Sequence, residues 1–398
     1  MSGGEHREVR DLSTRALIAA VHPDPAGFAG LAAARADRID WSWLLGCAQA
    51  HKVPALVAAR MEQSGVQPYL PEAIRARAAR LRQEAREQAQ RAQQALRELA
   101  EGFARAGVPF FVIKGSVLAE HIYRDPTLRR FFDIDVVVPP AELRRAEQQL
   151  RSWGYHIGQA EKLLARALGS DAEVRAAEEL TQRFYQRFEY ELPLVPAKGD
   201  GRMAVDVHWH VAPPHRLRAT AAQLWAQTVP VCVAGTEVRT FNPEATLIHL
   251  AVHATSCTFA GFRLLHLCDV AWAVARRRAP HEPLWALADA WNARAQLDAA
   301  LEMVERVLQV AVPPGMRTRP RRSGAWLRAA AGPTFLLDGW RGTGVSAPKR
   351  LGAELLWGLG MGCLMHNLRR SMRVRRARLE WMMQRRVLRR ARSAAAAP

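Results

Sequence analysis

The sequence predicts an α+β protein, with a small mixed-sheet core set between helical N-terminal and C-terminal regions. Three observations point to it. From Pro71 to Ala106 the chain is one Ala/Arg/Gln/Glu run with no internal glycine before Gly102, the composition of long helices with a solvated face. Val108–Ile113 and Phe131–Val138 are short apolar runs, which suit buried strands. Phe184–Leu192 and Met203–Val211 flank the turn Lys198-Gly199-Asp200-Gly201 and read as a hairpin.

Taken in order, residues 1–107 are expected to be helical. Leu17, Ile18, Ala20 and Val21 begin one amphipathic pattern. Trp41, Trp43, Leu44 and Leu45 begin another, with Asp40 placed to cap it. Residues 108–240 hold the sheet. Lys114-Gly115-Ser116 breaks the first strand, Val117–Tyr123 resumes a helical pattern, and Pro139-Pro140 ends the second strand. Ala141–Trp153 is predicted as a helix, and residues 160–181 as a polar one. Residues 241–312 return to helix, over 243–278 and 281–310. Residues 313–398 read as a Pro/Arg-rich linker, Pro313–Ser323, followed by a basic tail.

The chain has 398 residues, with 57 Lys and Arg against 38 Asp and Glu, a net charge of +19. That balance favours anionic partners. Cys47, Cys232, Cys257, Cys268 and Cys363 are scattered and form no CxxC pair, which disfavours a disulfide framework or zinc knuckle. The polar start MSGGEHREVRDL lacks the apolar core of a signal peptide. No stretch reaches the roughly 18–20 apolar residues of a membrane span, since Leu355–Leu368 is short and carries His366 and Asn367. A cytoplasmic location follows as an expectation, with surface attachment to a membrane as its variant.

The chemistry is carried by acids. Asp133 and Asp135 are two apart on a strand, so they share a face, about 6.5–7 Å apart along the chain. Two carboxylates in an apolar strand repel unless something compensates them. Solvation at a strand end is one answer. Mg²⁺ is another, because it prefers carboxylate oxygen and keeps positions free for phosphate; two such ions can hold both the attacking and leaving oxygens of a phosphoryl displacement. Upstream, Gly115 and Ser116 stand where a strand meets a helix. Glycine admits backbone N–H groups to an anion, and a helix N-terminus favours phosphate. Lys114 adds charge. Downstream, Asp206, His208 and His210 alternate with Val205, Val207, Trp209 and Val211, so Asp206 is a third acid on a neighbouring strand. A third acid further than about 8 Å from the pair would defeat a shared metal site.

The set IKGSVLAEHIYRDPTLRRFFDIDVVV, then GY, VDVHWHV, LIHLAVHA and LLHLCDVAW, resembles the uncharacterised nucleotidyltransferase family of the polymerase-beta-like nucleotidyltransferase superfamily, over roughly residues 40–275. The resemblance implies a nucleotidyltransferase core, with Gly115 and Ser116 at a triphosphate-binding turn and Lys114 beside it. It implies Asp133, Asp135 and Asp206 as ligands of two Mg²⁺ ions, and Arg129 or Arg130 as an arginine preceding the paired acids. It also implies transfer of a nucleoside monophosphate from a nucleoside triphosphate, with ATP chosen for its abundance, to an acceptor that is not identified. The sixteen residues between Ser116 and Asp133 form a longer spacing than in the superfamily's compact members.

Rival readings remain. The fold could be kept for non-catalytic binding, as an antitoxin-like or scaffold partner. The tail, with eleven arginines and one acid, Glu380, between Arg369 and Arg392, could be solvated. Alternatively, residues 355–392 could meet an anionic membrane surface or nucleic acid. His249 and His253 are i,i+4 on a predicted helix, and His266 and Asp269 are i,i+3; for both pairs a structural role outweighs metal ligation, for which no third ligand is evident. The roles of His208 and His210 stay open.

Overall fold

The computed structural model describes residues 3–158, 171–197, 199–213, 216–255, 263–277, 280–316 and 364–395. The expected linker beyond residue 316, the apolar stretch 355–363 and residues 160–170 of the helix expected over 160–181 lie outside the described residues.

The N-terminal region is helical as expected. It comprises α1 (Gly3–Val21), α2 (Ala26–Arg35), α3 (Trp41–Ala50), α4 (Pro54–Gln63) and α5 (Glu72–Arg105). Asp40 caps α3, its carboxylate accepting from the Trp43 N–H at 2.9 Å. The Ala/Arg-rich run forms a single 34-residue helix, α5, that buries Ile74, Ala78, Leu81, Ala85, Ala89, Ala92, Leu96, Leu99 and Phe103 at helical spacing. Gly102 is needed there, because a Cβ would lie 2.1 Å from the Trp153 ring.

The core is a five-stranded sheet in the order β1-β2-β5-β4-β3. Its strands are β1 (Phe111–Ile113), β2 (Asp133–Val137), β3 (His156–Ile157), β4 (Glu191–Val195) and β5 (Ala204–His208). β2 and β5 run parallel, and the other pairings are antiparallel, so the sheet is mixed. A helical turn, α6 (Gly115–Val117), follows β1, and α7 (Leu143–Ser152) follows β2.

β1 and β2 are shorter than the apolar runs Val108–Ile113 and Phe131–Val138, and two further strands depart more from the sequence expectation. Phe184–Leu192 is not one strand. α8 (Asp171–Phe188) runs through its first half, because Ala177, Leu180, Thr181, Phe184 and Tyr185 are buried at helical spacing. Only Glu191 onward is extended. Likewise β5 ends at His208. His210 leaves the sheet, its ring nitrogens meeting the carbonyls of Ala212 and Ala219 at 2.5 and 2.8 Å.

Beyond the sheet, α9 (Ala221–Ala226) leads into a hairpin of β6 (Thr228–Val233) and β7 (Thr236–Phe241), an element the sequence reading does not include. Its turn, Ala234-Gly235, has φ of 49° and 78°, the positive values that two-residue hairpins favour. The following helices are α10 (Pro243–Ala254), α11 (Leu264–Arg276), α12 (Glu282–Ala290) and α13 (Arg294–Leu308). α10–α13 share one apolar core with α1–α4 and one side of β1, while a second core lies under the sheet against α5 and α7.

The basic C-terminal segment forms α14 (Leu364–Ala395). It is not a solvated tail. Trp381 is fully buried against Ala177 and Leu180 of α8, and Arg385 pairs with Glu173 of α8 at 2.9 Å.

Candidate active site

The pairing of β2 with β5 builds the site. In parallel register Asp135 is the direct neighbour of Asp206, and Asp133 that of Ala204. Across the β4–β5 hairpin Glu191 faces His208. Side chains of register neighbours lie on the same face of a sheet. Asp135, Asp206 and His208 accordingly bring one donor atom each to within 4.8 Å of one another. Asp133 projects from the same strand one step further along and lies outside that convergence. Among the described residues it is the only such group of three or more His, Cys, Asp or Glu side chains.

Asp135 is the buried centre of the arrangement. The Lys114 Nζ donates to its Oδ1 at 3.0 Å, and His208 Nε2 meets the same oxygen at 3.0 Å. Burial by itself would raise this carboxyl. The Lys114 ammonium and the His208 hydrogen bond outweigh it and hold Asp135 well below the usual carboxylate range. Asp206 lacks such partners. Burial pushes it up to about 8, and the carboxylates of Glu191, Asp135 and Asp133 add to the effect. Asp133 is also raised, by burial and then by Asp135. Burial would lower His208, but its bond to Asp135 and the Glu191 carboxylate, 3.5 Å from Nδ1, raise it instead. The site thus compensates the charge of Asp135 with Lys114 and His208, and keeps Asp206 largely protonated near neutral pH when no cation is present.

The turn after β1 stands beside these acids. Lys114 and Gly115 both have positive φ, 54° and 24°. A Cβ on Gly115 would come within 3.1 Å of the Phe131 ring, so a larger residue is resisted there. Ser116 is buried, and its Oγ has no hydrogen-bond partner.

A cleft of about 330 Å³ opens over the acids, lined by Lys114, Gly115, Arg130, Tyr190 and Glu191. Gln49 of α3 and Lys52 of the turn between α3 and α4 line it too. The two arginines preceding the acids part company. Arg129 is buried and donates through Nε and Nη2 to both oxygens of Asp269 on α11, at 2.7 and 2.8 Å. Tyr123 Oη donates to the same carboxylate at 2.9 Å. Arg130 sits at the cleft mouth, pairs with Glu84 at 2.9 Å, and lies over the ring of the exposed Phe132.

The family described as uncharacterised nucleotidyltransferase matches residues 37–309. The chain belongs to that family. No curated protein and no solved structure shows significant similarity to this chain. The match begins in the residues leading to α3 and ends after α13, so it takes in the helices that supply Gln49, Lys52 and Asp269 as well as the sheet.

The donor set fits a divalent cation. Asp135 and Asp206 converge, with His208 bonded to the first, Asp206 has no cationic partner and would ionise as a cation binds, and Lys52, Lys114 and Arg130 line the cleft beside them. Sequence reasoning had no role for His208, although its position two residues after Asp206 on one strand was the available signal. Glu191 and Lys52 had no local signal. Each enters through strand register or the packing of a distant helix pair. Among the described residues His249 and His253 do not form a ligand group with a third side chain. Their rings pack at 6.4 Å, with His266 at 4.6 Å from His253, and Asp269, instead of serving His266 alone, anchors Arg129.

Proposed function

We propose that this nucleotidyltransferase transfers a nucleoside monophosphate from a nucleoside triphosphate to an acceptor hydroxyl or phosphate. An acceptor oxygen forms a bond to the α-phosphorus as the bond to the bridging oxygen breaks, and pyrophosphate leaves with that electron pair. The observation that carries the reading is the convergence of Asp135, Asp206 and His208 within 4.8 Å at the floor of a cation-edged cleft.

Asp135 and Asp206, with Asp133 beside them, would hold Mg²⁺. Bound there, the cation would supply charge neutralisation of the triphosphate and polarise its phosphoryl oxygens. The remaining roles belong to the chain itself. Lys114 and His208 orient Asp135 from both sides. Asp206 accepts the proton that the acceptor releases. The Gly115 backbone and the unpartnered Ser116 hydroxyl receive phosphate oxygens, which would satisfy a buried polar group that otherwise costs free energy. Arg130 adds charge at the cleft mouth. Arg129, committed to Asp269, positions the Phe131–Asp135 segment and makes no phosphate contact in this reading.

The test is incubation with α-labelled nucleoside triphosphates, ATP first, Mg²⁺ and a cell extract, followed by identification of what acquires label. Label should appear on a discrete acceptor and vanish with Asp135→Asn. Full labelling by that variant would remove the metal-site assignment. Nucleotide binding that ignores Mg²⁺, with no transfer to any acceptor, would favour a non-catalytic binding protein.

A further inference from the structure

Helix α14 presents two different faces. Val374, Ala377, Trp381 and Arg385 recur at helical spacing and point into the fold, with Trp381 fully buried. On the opposite side Met372, Leu379, Met383 and Val387 recur at steps of seven, four and four, and are 62%, 55%, 62% and 66% exposed. Arg375, Arg376 and Arg386 are exposed around that stripe. A soluble helix docked by one face ordinarily turns a polar face outward. Here large apolar side chains stand in its place, ringed by arginine.

The charge continues onto the neighbouring helix. Arg183 and Arg187 of α8 and Arg373 and Arg376 of α14 edge a groove of about 470 Å³ whose floor includes Leu180, Phe184 and Ala377. Glu380 is the single acid lining it.

We propose that the outer face of α14 docks on an anionic membrane surface, with Met372, Leu379, Met383 and Val387 entering the headgroup boundary and the surrounding arginines meeting lipid phosphates. An apolar stripe between cationic flanks is the pattern of an interfacial helix, and each arginine near an anionic leaflet adds attraction. Among the described residues no helix is long and apolar enough to cross a membrane, and the contact meant here is a peripheral one. A nucleic-acid strand is the poorer fit, because binding to single strands relies on aromatic platforms and the stripe is made of Met, Leu and Val. The proposal is independent of the transferase reading, since none of these residues lines the acidic cleft.

The experiment is co-sedimentation of the full chain with phosphatidylglycerol/phosphatidylcholine vesicles, with phosphatidylcholine vesicles and with single-stranded RNA as the other arms. The expected result is pelleting with the anionic vesicles, weakened by salt and lowered about tenfold or more by Leu379→Glu with Met383→Glu. Both positions are exposed, so the circular dichroism and melting temperature should be unchanged. Arg375→Glu with Arg376→Glu is the second variant, and it should reduce binding to anionic vesicles by a similar factor. Failure to pellet with anionic vesicles, pelleting indifferent to both variants, or RNA binding without vesicle binding would each overturn the proposal. So would a stable dimer that the Leu379 and Met383 changes dissolve in a protein that ignores vesicles.

Discussion

Asp135 on β2 stands directly beside Asp206 on β5, in the parallel register of the two strands. Lys114 and His208 both engage the first carboxylate, whereas burial and three neighbouring acids, Glu191, Asp135 and Asp133, act together against ionisation of the second. The pair is arranged at a cost to the cation-free fold, as functional sites commonly are.

Asp206→Asn should therefore stabilise the cation-free protein while removing turnover. Mg²⁺ should raise the wild-type melting temperature and leave the variant nearly unmoved. Saturation at about a hundred times the dissociation constant corresponds to roughly 2.7 kcal/mol. Calorimetry with and without chelator measures both effects, and an equal Mg²⁺ shift in the two proteins would contradict the assignment.

Gly115→Ala should destabilise the fold by about 1–2 kcal/mol, since the new methyl meets the Phe131 ring at 3.1 Å and φ is +24°. The same change narrows the approach to the turn, so affinity for nucleoside triphosphate should fall as well. Urea unfolding and nucleotide titration report the two consequences separately. Unchanged stability would mean that the ring moves aside freely.

The buried Arg129–Asp269 pair, joined by Tyr123, ties the segment before the acids to α11. Asp269→Ala leaves a buried guanidinium unpaired and should cost about 3–5 kcal/mol. Tyr123→Phe removes one hydrogen bond to a charged group, about 1.5–3 kcal/mol. Arg129→Met combined with Asp269→Ala should cost less than the sum of the single changes, because the residues share one network. Additive losses in denaturant titration would show that the pair is not coupled.

His249 is fully buried and His253 and His266 are half-buried, and removal from water lowers all three below the ordinary histidine value, His266 to about 4, with the Lys114 ammonium adding to the effect at His249 and His253. The unfolded chain binds protons that the fold refuses as pH falls below about 6.5. Each histidine should consequently remove roughly 1.4 kcal/mol of stability per pH unit inside its window, from about pH 6.5 toward about 4, offset in part by Asp206, whose raised carboxyl takes up its proton at higher pH in the fold than in the unfolded chain. His266→Gln should flatten the slope. An unchanged slope in His266→Gln would contradict the neutral cluster.

Much of the site can be read locally. A period of two places Asp133 and Asp135 on one face, and a Lys-Gly-Ser break between an apolar run and a helical pattern marks the turn, because both depend on backbone geometry over a few residues. The capping of α3 by Asp40 and the unbroken α5 are legible for the same reason. The limits of β4 and β5 were harder. Phe184 and Tyr185 have strand propensity, and only their packing on a helix face decides the matter.

What the tertiary structure decided involves partners far apart in the chain. His208 reaches Asp135 across 73 residues, and Arg129 finds Asp269 across 140. Arg129, not Arg130, is the arginine that α11 neutralises, and the entry of Glu191 and Lys52 rests on strand register and helix docking. A one-residue slip in a strand turns every side chain to the other face. The identity of the acids is therefore written in the sequence, while their compensation is set by long-range packing that no local pattern encodes.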